Sequence, residues 1–154
     1  MKRAMIAVAL AMACLQPQAA EAASARLQRD VRKFLTAWTG GPIIDRAAVA
    51  RFYAPHVVYY GRAETRAQVL MDKRALARRW PERIYRLAPG SASAHCSRDQ
   101  TRCEVLAVLD WRAESPQRSA RSKGIATVKL DLVRRGAVLK IVRETGKIVA
   151  RSQG

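Results

Sequence analysis

Apolar positions recur at helical spacing in the first part of the chain and at every second residue in the last half. Leu27, Val31, Phe34, Leu35 and Trp38 share one face of a helix that runs into Gly40-Gly41 and Pro42. DRAAVARFYAP predicts a short second helix, with Asp45 as N-cap and Val49, Phe52 and Tyr53 on one face. Pro55 closes it, and HVVYY begins a strand. Thr65 and Gln68 form a capping box for a third helix, RAQVLMDKRALARRW. Val69, Leu76 and Trp80, with Leu70, make its apolar stripe, and Pro81 ends it.

Beyond Pro81 the period changes to two. ERIYRLA, SASAHC, CEVLAVLDWRAE, SKGIATVKLDLVRR and AVLKIVRE read as successive strands. Pro89-Gly90, the SRDQTR loop, the basic SPQRSARSK loop and Arg135-Gly136 separate them. The element order is ααβα followed by a strand meander, which predicts an α+β fold with a mostly antiparallel sheet. No repeat or low-complexity segment divides it.

The N-terminus adds an address. Lys2 and Arg3 precede the apolar stretch Ala4 to Leu15, and Ala20-Glu21-Ala22 gives an A-x-A cleavage pattern. That order is expected of a signal peptide over residues 1–22, cleaved after Ala22, for export to the periplasm or the medium. A permanent membrane anchor needs roughly 20 apolar residues, more than this stretch supplies. Residues 23–154 then form a single domain of ordinary size.

Charge narrows the partners. The chain carries 29 basic and 12 acidic side chains, a net charge of +17. Such an excess favours acidic proteins and anionic envelope components. The densest cluster holds Lys73, Arg74, Arg78, Arg79, Arg83 and Arg86, and Arg118, Arg121 and Lys123 make a second contact. Trp80 and Tyr85 interleave with the first, but no nucleic-acid-binding signature accompanies them, and nucleic acid is not the expected partner.

Two cysteines remain after export, Cys96 and Cys103, around a polar hairpin loop. An even pair in an oxidising compartment reads as a disulfide. Zinc is the rival, with His95 and His56, but adjacent His95 and Cys96 point to opposite faces of a strand. Dinucleotide, P-loop, serine-hydrolase and zincin motifs are all absent from the sequence, and no cofactor or metal is expected.

In HVVYYG, alternation places His56, Val58 and Tyr60 on one face and Val57 and Tyr59 on the other, so one tyrosine is expected to face inward. His56, Tyr59, Tyr60, Asp110 and Trp111 are the candidate cavity residues. Asp110 is expected to pair with an arginine, and Asp72 with Lys73 or Arg79 on its own helix.

The FLTAW helix, the AVARFYAPHVVYYG unit, the RAQVLMDKRALARRWP helix and the strands to Val142 together resemble the nuclear-transport-factor-2-like superfamily. That superfamily includes ketosteroid isomerases and SnoaL-like cyclases. FYAP…VVYYG…DKRALARRWPERIYRL looks similar to small exported bacterial domains of this type. The resemblance implies a cone: a curved sheet wrapped around three helices, with a cavity open at one end. Ketosteroid isomerases place a proton-moving aspartate on the first strand, where HVVYYG has no acid; their second acid corresponds at most loosely to Asp110. The sequence therefore favours an exported, non-catalytic module that binds a small molecule or an acidic partner, as monomer or homodimer. An isomerase- or lyase-type enzyme using the cone is the alternative, and a basic adaptor on envelope polyanions the next.

Overall fold

The computed structural model describes residues 16–153. Lys2, Arg3 and the apolar stretch to Leu15 lie outside the described residues. Helix α1 runs Gln16–Thr39, through the expected cleavage point at Ala22. From Glu21 onward the first buried side chain is Leu27, so residues 21–26 add little to the core. Leu27, Val31, Leu35 and Trp38 are buried, as helical spacing predicts, and Phe34 packs edge-on against Phe52.

Helix α2 spans Arg46–Phe52, and Asp45 caps it by accepting from Ala48 N at 2.7 Å. At its other end Lys140 donates to the carbonyls of Ala50 (2.5 Å) and Arg51 (2.7 Å), placing a cation at the negative end of the helix. Tyr53, expected on the second helix, is the first residue of strand β1 (Tyr53–Tyr59) instead, and it is fully buried. A short strand that the pattern did not predict follows, β2 (Arg62–Thr65). Thr65 and Gln68 then form the capping box of α3 (Arg66–Arg79).

The remaining strands are β3 (Glu82–Leu87), β4 (Ser93–Cys96), β5 (Arg102–Ser115), β6 (Ala120–Arg135) and β7 (Val138–Gln153). The basic loop shrinks to one turn, Pro116–Arg118, because ARSK joins β6. The sheet order is β2-β1-β7-β6-β5-β3, with β4 also on β5. All neighbours are antiparallel except β1 and β7, which run parallel.

Inward residues of the three long strands, among them Val105, Ala107, Leu130, Leu132 and Ile141, join the α1 stripe in one hydrophobic core. Cys96 and Cys103 face each other across β4 and β5 as a disulfide, with Cα atoms 4.0 Å apart. His95 is exposed beside them. Among the described residues no helix is long and apolar enough to cross a membrane, and no group of three or more His, Cys, Asp or Glu could hold a metal ion.

Candidate functional site

The helices leave a cavity of about 1000 Å³ against the sheet, open at one end. Helix α1 closes one side with Trp38 and the Gly40-Gly41-Pro42 turn, and α3 contributes Lys73 and Leu76. Leu109, Val128, Gly146 and Ile148 form the sheet wall, and Arg83 and Tyr85 of β3 stand at the far side.

A polar cluster sits in the apolar wall. Glu144 of β7 is buried, and each of its carboxylate oxygens accepts a bond: Oε1 from Lys73 Nζ at 3.3 Å, Oε2 from the Tyr53 hydroxyl in a short contact. Trp38 Nε1 donates to the Tyr53 oxygen at 3.3 Å. The Lys73 ammonium lies 5.8 Å from the Trp38 ring centre, 5.6 Å from Tyr53 and 5.2 Å from Tyr59, a cation in an aromatic box. Burial by itself would lower the lysine pKa, but Glu144 and Tyr53 outweigh it, and the net shift is upward. Lys73 is therefore a fixed ammonium. Burial also raises Tyr53 and Tyr59, aided for both by the Glu144 charge; Tyr60 is half exposed, and the partial cover of its ring with the same charge holds it at about 12. All three phenols stay protonated near neutrality.

Sequence reasoning missed Glu144 because of a register shift. Strict alternation along AVLKIVRE would turn Leu139, Ile141 and Arg143 inward and Glu144 outward. A bulge in β7 intervenes: Leu132 pairs with Ile141 while Asp131 pairs with Arg143, so Val142 is the extra residue. Parity flips there, Arg143 bonds Asp131 at 3.0 Å on the exposed side, and Glu144 turns in. Lys73 carried a readable signal, since it stands four residues after Val69 and three before Leu76 on the apolar stripe. Its expected partner is corrected. Asp72 bonds Arg62 at 2.6 Å across to β2, because adjacent residues on a helix do not face each other.

Of the candidate cavity residues, Tyr59 and Tyr60 both line the cavity. Alternation ends at Tyr59, and Tyr60 takes a left-handed backbone (φ 47°) followed by Gly61 (φ 83°) in the β1–β2 turn. Its ring meets Tyr59 edge-on at 4.8 Å. His56 is exposed, paired with Thr65, and Asp110 is exposed, opposite Arg86. Trp111 is half-buried outside the cavity lining, under Arg151 at 5.5 Å.

The two basic segments meet. Arg118 donates to Arg79 O at 2.9 Å and stacks on Trp80 at 4.6 Å. Arg74 donates to Ile44 O, Arg83 to Trp80 O, and Arg121 pairs with Glu114. Arg78, Arg79, Arg86 and Lys123 are exposed, and Arg86 borders the cavity.

No family model and no curated protein matches the chain. Solved structures do. A protein of Kribbella flavida superposes with a TM-score of 0.71 at 9% identity, covering 84% of this chain and 95% of that one. A nuclear transport factor 2-like superfamily protein of Salmonella enterica gives 0.69 at 7%, covering 82% and 94%. The hexachlorocyclohexane dehydrochlorinase LinA-type3 of Novosphingobium barchaimii gives 0.65 at 11%, covering 88% and 93%. With its three helices, its curled mixed sheet and these superpositions, the chain has the nuclear-transport-factor-2-like fold.

Proposed function

We propose that the protein is an exported module that binds a small molecule in its cone without transforming it. The observation that carries this reading is the cavity of about 1000 Å³, in which Glu144, the one lining carboxylate among the described residues, is already engaged on both oxygens by Tyr53 and Lys73. The volume is that of a small-molecule site. A carboxylate held by an ammonium and a phenol is a rigid polar floor and a poor base.

The test is native mass spectrometry of protein recovered from the periplasm of a host expressing the full-length gene. The reading expects a chain beginning at Ala23 with an adduct of roughly a few hundred daltons, the size such sites hold. A bare chain that binds only large polyanions would refute it in favour of the envelope adaptor.

A second reading, an isomerase- or lyase-type enzyme, is favoured by the convergence of Lys73, Glu144, Tyr59 and Tyr60 on one cavity, and by the similarity to a dehydrochlorinase. Incubating the recovered ligand with the protein in heavy water separates the two. Deuterium entering a ligand C–H bond, and failing to enter with Glu144→Gln, supports the enzyme; no exchange supports the binder.

A further inference from the structure

Tyr60 raises a question that packing alone does not answer. A bulky side chain with φ at 47° is an outlier, in a turn position that ordinarily belongs to Gly or Asn. The conformation is held by a bond from Tyr60 N to Glu144 O at 2.9 Å, and the ring is seated over Gly146: a Cβ there would lie 3.1 Å from the Tyr60 hydroxyl oxygen. Strain of this kind is kept where the surroundings over-determine it, often at ligand sites. Here it turns the phenol toward the cavity, beside Tyr59, which reaches the same space from the strand proper.

The polar inventory of that space is one-sided. Glu144, the carboxylate in the lining, already accepts on both oxygens. The Tyr59 and Tyr60 hydroxyls have no hydrogen-bond partner among the described residues, although both rings are held in place by neighbouring rings. Among the described residues Lys73, Arg83, Arg86 and Lys147 line the cavity against that one acid. What the cone offers a ligand is therefore donors and positive charge on an otherwise apolar wall.

Resting on the small-molecule reading above, we infer that Tyr59 and Tyr60 form a donor subsite for an anionic oxygen, and that the ligand is a largely apolar molecule bearing a carboxylate or a phenolate. The apolar body lies along Leu109, Val128 and Ile148, and the charged oxygen meets the two phenols beside the Lys73 ammonium. Both phenols hold their protons at neutral pH, as donors must. Charge-assisted bonds of this type are the stronger class of hydrogen bond.

Three naphthalene probes of one shape test this at neutral pH: 2-naphthoate, 2-naphthamide and 2-naphthylmethylammonium, each titrated calorimetrically into the full chain. The expected order is naphthoate first, the amide next and the ammonium last. Tyr59→Phe and Tyr60→Phe each weaken naphthoate by about tenfold or more, the loss expected when a bond to a charged group is removed. They leave the amide within about twofold, and thermal melts of both variants confirm folding. Charge reversal at Arg78 and Arg79 on the exposed end of α3 leaves naphthoate unchanged, which separates the subsite from the general field of a basic protein. A phenolate ligand is distinguished from a carboxylate by 2-naphthol, whose phenol absorption band shifts to that of the phenolate on binding. Equal affinities for the three charges, tightest binding of the ammonium, or a naphthoate affinity untouched by both Phe variants overturns the donor subsite while leaving the cone a binding site. Failure of all three probes to bind overturns the small-molecule reading itself.

Discussion

Gly146 and Tyr60 share a contact that decides where one cavity hydroxyl points. A methyl group at Gly146 would sit 3.1 Å from that hydroxyl and 3.2 Å from Thr127 O, and the backbone oxygen is less able to yield than the ring. Gly146→Ala is therefore expected to move Tyr60 and reduce naphthoate affinity several-fold with a small change in melting temperature. An unchanged affinity would show that the phenol has room elsewhere. Glu144 is the residue whose loss the fold should feel most. Glu144→Gln leaves the Lys73 ammonium buried without its counter-charge, at an expected cost of about 3 kcal/mol in urea unfolding. Replacing both partners, Glu144→Leu with Lys73→Met, removes the desolvation penalty together with the attraction. The double variant should recover most of that loss, and equal losses in the single and double variants would show that the pair contributes through packing.

Individual elements of the fold carry local fastenings. The capping box at Thr65 and Gln68 starts α3, the element that delivers Lys73. Thr65→Ala should cost about 1 kcal/mol, read from chemical denaturation. The Cys96–Cys103 disulfide closes a loop with a sequence separation of 7. In the chain-entropy model reduction should cost about 2.5 kcal/mol, and a melting point indifferent to reductant would show that the loop is already ordered. Order has other sources there: Asp99 accepts from the hydroxyls of Ser97 and Thr101 and from the Thr101 amide. Those bonds hold Asp99 down to about 2, so their contribution is complete above the ordinary carboxylate range and is lost as pH falls toward that value.

At the scale of the molecule, the buried phenols and Lys73 set a limit on alkaline stability. Tyr53, Tyr59, Tyr60 and Lys73 all have folded pKa values above their unfolded ones, 10.0 for tyrosine and 10.5 for lysine. Groups shifted that way contribute fully below the unfolded value, and the contribution is lost as pH rises through the folded one. Stability should thus hold to about pH 10 and fall steeply between 10 and 12, where Tyr60 itself titrates. Lys140, whose pKa burial lowers, works in the opposite direction, but it is one group against four. Melting curves across this range, with tyrosinate absorbance recorded in parallel, check it. Tyr60, half exposed, ionises near 12 in the folded protein; phenolate signal from the buried Tyr53 and Tyr59 should appear only with unfolding, and their ionisation in a still-folded protein would contradict their burial.

Much of the architecture was local enough to be read from residue order. The α1 stripe, the Asp45 and Thr65 caps, the switch to period two after Pro81 and the cross-strand cysteines each depend on neighbours a few positions apart, and the α+β class follows from their order; the cone was implied by the family resemblance. The site did not follow. Glu144 faces inward because of a one-residue bulge in β7, Tyr60 enters the cavity through a left-handed turn that breaks alternation, and Tyr53 leaves its helix to bury its hydroxyl on Glu144. Hydrophobic period reports which face of an element is wet. Bulges, strained turns and partners 91 residues apart are set by how elements close on one another, and only the tertiary structure decides them.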